Sequence, residues 1–190
     1  MAETPSEMIP LGTKASDFDL LNPSTNAYLS LKEIKSPIAT VIMFICNHCP
    51  YVKHIQKKLV EVVKAYQKQG ISFVAICSND TIKYPQDAPD SMRETVLEHN
   101  YSFPYLFDET QEVAKAYRAA CTPDFYIFDK NLACVYRGRF DDATPGNRKP
   151  VTGKDLCIAL DHILKNEALT ETQFPSLGCN IKWKNNGDTP

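Results

Sequence analysis

Residues 41–52 read Val-Ile-Met-Phe-Ile-Cys-Asn-His-Cys-Pro-Tyr-Val, the most informative stretch of the chain. A β-branched apolar run leads into Cys46 and Cys49, and an amphipathic segment follows at once. The run predicts a strand buried on both faces, since a strand with one solvated face alternates apolar and polar residues. A Cys-x-x-Cys pair also occurs in zinc sites, but its position between a buried strand and a helix start favours thiol–disulfide chemistry.

The segment that follows the cysteines has the pattern of an amphipathic helix. Over residues 50–69 the apolar positions recur at spacings of one, three and four, and Gly70 is suited to end the helix. Residues 71–77, Ile-Ser-Phe-Val-Ala-Ile-Cys, predict the next strand. Strand, helix and strand in so short a stretch predict a right-handed βαβ crossover with a parallel strand pair.

Shorter elements complete the predicted domain, and turn residues or capping patterns mark their ends. They are a hairpin over residues 17–31, a helix opened by the capping box Ser91-x-x-Glu94, a strand over 103–107, a helix over about 109–119, a hairpin of strands 124–129 and 132–137, and a helix over 152–165 that opens with Thr152-x-x-Asp155. We therefore divide the chain into a loosely ordered lead-in (1–14), an α/β domain (15–165) and an irregular tail (166–190).

Composition limits the classes of function that the chain can have. The net charge of −2 comes without a basic cluster, so nothing suggests a nucleic acid or an acidic membrane as partner. The apolar runs are strand-sized, far below the ~20 residues that span a bilayer. The acidic first residues lack a signal-peptide pattern, and seven cysteines are an odd number, so we expect a cytoplasmic protein with mostly free thiols.

The order of elements resembles the thioredoxin fold, in which helices flank a central mixed sheet and Cys-x-x-Cys stands at the first strand–helix junction. Cys121-Thr122-Pro123 comes just before the second strand pair, where thioredoxin-like proteins carry a cis-proline that faces the cysteines. Residues 15–32 resemble the N-terminal hairpin of redoxins, which include peroxiredoxins and the alkyl hydroperoxide reductase/thiol-specific antioxidant family. The resemblance covers about residues 10–165 and points to a peroxiredoxin-like subgroup of the thioredoxin family.

This resemblance implies a thiol–disulfide oxidoreductase and assigns roles to five residues. Cys46 would attack the substrate, Cys49 would resolve the mixed disulfide, and His48 would tune the thiolate. Thr122 and Pro123 would guide the substrate. The substrate would be a thiol or disulfide of a protein or small molecule, with a partner reductase or glutathione as electron source. The resemblance implies no dissociable cofactor, and it leaves the oligomeric state open.

The chemistry of the junction supports part of this scheme. A helix N-terminus and a protonated His48 both stabilise a thiolate, although an exposed His48 without such an effect is the plainer interpretation. Pro50 disfavours helical geometry at Cys49. A helix that begins only at Pro50 would leave Cys46 farther from the positive end of the helix dipole.

A thiol-dependent peroxidase, acting as an antioxidant, is the closest alternative. Peroxiredoxins place their nucleophilic cysteine in Pro-x-x-x-Thr-x-x-Cys, and counting back from Cys49 or Cys46 finds neither the proline nor the threonine. Pro123 stands where their catalytic arginine would align. The sequence therefore disfavours efficient peroxide reduction and leaves open a slow reaction at an exposed Cys49.

A metal site and a redox sensor are two further alternatives. Cys46, His48, Cys49 and His54 are close in sequence and could bind copper or zinc, but no second ligand pair for structural zinc is evident. Cys179 follows a glycine in the tail and could fold back as a third redox cysteine. The other cysteines are expected to be buried filler, and the charged loop 136–142 to be solvated and ion-paired. Those cysteines are Cys77, Cys121, Cys134 and Cys157.

Overall fold

The computed structural model describes residues 3–184, and its elements follow the order predicted for a thioredoxin-like domain. The helices are α1 (Leu31–Ile34), α2 (Pro50–Gln67), α3 (Pro89–His99), α4 (Glu112–Ala116) and α5 (Lys154–Leu164). The strands are β1 (Glu3–Pro5), β2 (Asp19–Asn22), β3 (Ala27–Ser30), β4 (Ala39–Phe44), β5 (Ser72–Cys77), β6 (Tyr105–Phe107), β7 (Cys121–Thr122), β8 (Asp124–Asp129), β9 (Cys134–Gly138) and β10 (Leu177–Asn180).

A mixed sheet of seven strands, in the order β3-β2-β6-β5-β4-β8-β9, forms the centre of the domain. β4 pairs in parallel with β5 and antiparallel with β8, and β5 pairs in parallel with β6. The predicted βαβ crossover and both predicted hairpins are confirmed. The N-terminal hairpin joins the sheet through β2, which pairs with β6.

All six residues of β4 are buried, and they alternate between two cores. Val41 and Met43 face a core shared with α2, α3 and α5, whereas Ile42 and Phe44 face a second core shared with α1 and α4. Helices therefore cover both faces of the sheet, as the uninterrupted apolar run predicted.

α2 begins at Pro50, because proline has no N–H to donate and its fixed φ suits the first helical position. Cys49 is the N-cap and has an extended backbone, with φ −66° and ψ 121°. The helix thus starts only after the second cysteine, as the proline predicted. No helix within residues 3–184 has both the length and the apolar character required to cross a membrane.

Two predicted helix starts are wrong. α3 begins at Pro89, before the predicted cap Ser91, since a second proline takes the first helical position. α5 has Gly153 as its N-cap, with φ +70°, instead of Thr152. The carboxylate of Asp141 accepts the N–H groups of Thr152 and Gly153, each at 2.7 Å. A side chain from the beginning of the same loop therefore fixes the entry to this helix.

Most of the described tail is irregular, as predicted, but residues 177–180 form β10, which lies between β1 and β7 in a second sheet. Cys179 pairs with Thr122 on one side and with Glu3, from the predicted lead-in, on the other. A Cβ on Gly178 would come within 2.0 Å of the Thr122 carbonyl oxygen, so only glycine fits there. A strand this short shows no recognisable alternation of apolar and polar residues, so the sequence pattern did not predict it. Residues 1, 2 and 185–190 of the predicted lead-in and tail lie outside the described residues.

Candidate redox site

Cys46 and Cys49 lie between the end of β4 and the first turn of α2, where the sequence predicted them. Both sulfurs contact Thr122, and each thiol shifts the pKa of the other, so the two lie within reach of one another. Cys46 is 2% exposed and Cys49 is 0% exposed. The expectation of an exposed Cys49 is therefore wrong. Thr122 and the C-terminal strand cover its sulfur, and neither is near it in sequence.

The loop before β8 contacts both sulfurs through Thr122. The Thr122–Pro123 peptide bond is cis, as predicted. The Thr122 hydroxyl oxygen lies 3.4 Å from the Cys46 sulfur, and the protonated Cys49 thiol donates to the Thr122 carbonyl oxygen at 3.1 Å. One residue thus offers a hydroxyl donor to Cys46 and a carbonyl acceptor to Cys49.

The two thiols titrate as one unit because they share a hydrogen bond. The hydrogen bond from Cys46 lowers the pKa of Cys49 to about 5, and the Cys179 side chain and the Val52 N–H add to this effect against the opposing effect of burial. The same hydrogen bond, burial and the charge of Asp87 raise the pKa of Cys46 well above its ordinary value. The Thr122 carbonyl dipole opposes charge on Cys49, but the donors outweigh it. The reduced pair therefore holds one proton and one negative charge at neutral pH.

A buried carboxylate, Asp87, holds the loop that carries His48. His48 Nδ1 lies 2.6 Å from Asp87 Oδ2 and 3.9 Å from Cys46 Sγ, so its short contact is with the carboxylate. Asp87 also accepts the Asn47 N–H and the Asn79 amide, each at 2.8 Å. Burial acts to raise the pKa of Asp87, but these hydrogen bonds outweigh it and lower the pKa. Sequence reasoning missed Asp87, because nothing in its polar loop distinguishes it from a surface carboxylate.

Cys179 is the third thiol of the site. Cys179 packs in the same core as Cys46 and Cys49, and burial first, then the effect of the Cys49 side chain, raises the pKa of Cys179 to about 12. Cys121 is also buried close by, but its thiol faces the carbonyl oxygen of Pro123. The structure thus brings the tail cysteine, and not Cys121, into contact with the redox pair.

The candidate metal ligands are only partly brought together. Cys46, His48 and Asp87 have ligand atoms within 4.8 Å of one another, the one such group among residues 3–184. His54 is exposed on α2 and lies outside this group. The Asp87 carboxylate is already engaged by His48, by the Asn47 N–H and by the Asn79 amide within the protein.

A cavity of about 430 Å³ opens beside Pro123. Tyr51 of α2 and Phe174 of the tail line it, together with Arg139 from the charged loop. Arg139 is ion-paired with Asp155, as expected, but it is only partly exposed and its guanidinium lies 4.4 Å from the Phe174 ring centre. The loop that was expected to be solvated therefore forms one wall of a cavity next to the cis-proline.

Known proteins share the fold and much of the sequence. Residues 11–137 match the AhpC/TSA family. An uncharacterized conserved protein from Geobacillus kaustophilus is 55% identical, with a TM-score of 0.95 and 97% of each chain covered. A hypothetical protein from Sinorhizobium meliloti is 46% identical, with a TM-score of 0.93 and coverage of 95% of this chain and 98% of that one. No curated protein matches the chain.

More distant structures share the fold alone. A secreted disulfide oxidoreductase from Mycobacterium tuberculosis, homologous to Escherichia coli DsbE, is 16% identical, with a TM-score of 0.58 and coverage of 76% of this chain and 94% of that one. The mixed sheet, the cis-proline loop and the two cysteines at the first strand–helix junction agree with the family match. The chain belongs to the AhpC/TSA family of thioredoxin-fold thiol redox proteins.

Proposed function

We propose that the protein is a thiol–disulfide oxidoreductase in which Cys46 and Cys49 interconvert between a dithiol and a disulfide. The observation that supports this most strongly is that both sulfurs contact Thr122, Cys46 at 3.4 Å from its hydroxyl oxygen and Cys49 at 3.1 Å from its carbonyl oxygen, in a pair whose thiols shift each other's pKa. A thiolate is the attacking form of cysteine, and a second sulfur within reach lets the pair close on itself.

Cys46 attacks the substrate disulfide in this scheme. Its proton moves along the shared hydrogen bond to Cys49, whose S–H is then directed to the Thr122 carbonyl oxygen, while the Thr122 hydroxyl donates to the new Cys46 thiolate. A bond forms between Cys46 and one substrate sulfur, and the other substrate sulfur leaves and takes a proton from water.

Cys49 then resolves the mixed disulfide. It attacks the Cys46 sulfur, and its proton passes to the departing substrate thiolate. The substrate has gained two electrons as two thiols, and the Cys46–Cys49 pair has lost two as a disulfide. A partner reductase or glutathione returns the pair to the dithiol.

Substrate reaches the pair only after a local opening, because both sulfurs are buried. The cavity beside Pro123, with Tyr51 and Phe174 in its wall, is the site we assign to the residues that flank a substrate cysteine. Its lining combines the aromatic side chains of Tyr51 and Phe174 with the charged side chains of Arg139, Asp142 and Lys149, which suits a peptide segment.

Trapping the mixed disulfide tests the proposal. With a disulfide-linked peptide as substrate, Cys49→Ser should accumulate a covalent adduct on Cys46, and Cys46→Ser should lose turnover. Cys157→Ser, a half-buried cysteine on α5, is the matched control and should keep full turnover. An adduct on Cys49 in the Cys46→Ser protein would reverse the two roles, and full turnover in that variant would overturn the proposal.

A thiol-dependent peroxidase is the second candidate, because the chain belongs to the AhpC/TSA family. Thr122 supplies the hydroxyl near Cys46 that the sequence motif lacks, at 3.4 Å. Within residues 3–184, however, neither redox sulfur has an arginine as hydrogen-bond partner. We expect peroxide consumption to be slower than disulfide turnover under the same thiol supply, and a faster peroxide reaction that needs Cys46 would favour the peroxidase.

A further inference from the structure

The C-terminal strand brings a third cysteine onto the redox pair. Cys179 is 2% exposed and packs in the same buried core as Cys46 and Cys49. Strand pairing sets Cys179 opposite Thr122, the residue whose carbonyl oxygen lies 3.1 Å from the Cys49 sulfur. The backbone register and the side-chain contact therefore both place the Cys179 thiol beside Cys49.

Cys179 packs in the same core as Cys77 but belongs to a different sheet. Cys77 and Cys134 each lie within a strand of the central sheet and pack in its cores. Cys179 instead lies in the second sheet, held between β1 and β7. Gly178 permits the close approach of this strand to Thr122. The fold thus fixes the backbone of Cys179 at the one place from which its thiol reaches Cys49.

We propose that Cys179 is a further catalytic residue, which exchanges with the Cys46–Cys49 disulfide to give a Cys49–Cys179 disulfide. The proposal rests on the function proposed above. The Cys179 sulfur attacks the Cys49 sulfur, and an S–S bond of about 2.05 Å forms between them. Cys46 leaves as a thiolate and takes up the proton that Cys179 gives up. No electron enters or leaves the protein in this step.

The exchange replaces the Cys46–Cys49 disulfide by a disulfide between Cys49 and Cys179 of the tail. Cys46 becomes a thiol again, while β10 is linked covalently to the first turn of α2. The partner reductase or glutathione then reduces the Cys49–Cys179 disulfide with two electrons. Because burial raises the pKa of Cys179 to about 12, its proton departs only as Cys46 accepts it, which couples the two halves of the step.

Peptide mapping of the oxidised full-length protein separates the two disulfides. Trypsin releases Cys46 and Cys49 together in residues 36–53 and Cys179 in residues 166–182. A Cys46–Cys49 disulfide is internal to one peptide, whereas a Cys49–Cys179 disulfide links two peptides. The Cys46→Ala protein, oxidised with glutathione disulfide, should give the linked peptides as its main intramolecular product. Adding Cys179→Ser should remove them, and adding Cys157→Ser should not.

The outcomes distinguish this proposal from the proposed function. If wild type forms the internal disulfide but Cys46→Ala never gives linked peptides, Cys179 is not a redox residue and the function stands. If wild type forms neither disulfide, both proposals fail. Circular dichroism checks that the variants fold. If Cys46→Ala does not fold, partly oxidised wild type supplies the test, since fragmentation of its linked peptides must locate the bond at Cys49.

Discussion

At the scale of single residues, a shared proton determines the chemistry of the redox pair. Two adjacent thiolates repel each other, whereas a thiolate that accepts a hydrogen bond from its neighbour is stabilised. The reduced pair therefore holds one charge, and every donor that favours this charge makes the disulfide a stronger oxidant. Asp87 acts in the opposite direction, because its negative charge raises the pKa of Cys46.

The reduced protein should ionise one thiol far below the pKa of about 8.5 of free cysteine. Ultraviolet absorbance of the thiolate should show a step near pH 5, the value to which the pKa of Cys49 is lowered. Cys46→Ala removes the largest cause of that shift and should move the step to higher pH, whereas Cys157→Ala should leave it in place. Absence of a step below pH 7 would contradict the shared proton.

The lowered pKa of Cys49 also affects the stability of the folded protein. The folded pKa of Cys49 lies below its unfolded value, so the charge stabilises the folded, reduced protein. The contribution is complete above about pH 8.5 and is lost as the pH falls through about 5. Comparing the pH dependence of unfolding in reduced wild type and Cys49→Ser measures it, and parallel curves would exclude it.

Asp87→Asn should destabilise the protein by about 1–3 kcal/mol, because a buried acceptor of charge-assisted hydrogen bonds is lost. The carboxylate is 0% exposed and binds His48, Asn47 and Asn79. Denaturant unfolding measures the change. Asp90→Asn is the matched control, since that side chain is 87% exposed and should change stability by less than about 0.5 kcal/mol. Equal effects of the two substitutions would contradict a structural role for Asp87.

At the scale of secondary-structure elements, β10 covers the redox pair. It pairs with β7, the strand that carries Thr122, and with β1 at the N-terminus. β1 and β10 are short, and their sheet is separate from the central one. Short strands with few buried apolar residues open more readily than a central strand such as β4. We therefore expect opening of β10 to uncover the redox pair and to give the substrate access to it.

Gly178→Ala should displace β10 and expose the thiols beneath it. The added methyl group would meet the Thr122 carbonyl oxygen at 2.0 Å, so the strand must shift. We expect faster alkylation of reduced Cys49 and a lower free energy of unfolding. Leu177→Ala is the control on the same strand, where the side chain is 37% exposed and its loss creates no clash. An unchanged alkylation rate in Gly178→Ala would show that β10 does not limit access.

At the scale of the whole molecule, the sequence predicts the structural features that are determined by residues close together in the chain. The apolar run of β4 and the helical stripe of α2 are local patterns, and the proline after Cys49 marks the helix start. The cis-proline at Pro123 was predicted from the resemblance to thioredoxin-like proteins. These features together were sufficient to predict the domain and the position of its two redox cysteines.

The rest of the site depends on contacts between residues that are distant in sequence. Asp87 reaches His48 across 39 residues, from a loop with no distinguishing pattern. β10 can form because Gly178 allows the strand to pass close to Thr122. This close approach is visible only in the folded backbone. The burial of both sulfurs has the same origin, since their cover comes from the cis-proline loop and the tail. Sequence patterns therefore identified the reacting atoms but not what encloses them.

A redox titration of the full-length protein in glutathione buffers tests whether Cys46 and Cys49 form a reversible redox couple. We expect a reversible two-electron transition that depends on Cys46 and Cys49. Its first product should be the disulfide within the tryptic peptide of residues 36–53. One proton should accompany the two electrons, so the potential should fall by about 30 mV per pH unit between pH 6 and 8, not by about 59 mV. A pair that stays reduced across all buffers, or that binds zinc or copper stoichiometrically and resists oxidation, would show that Cys46 and Cys49 are not a redox couple.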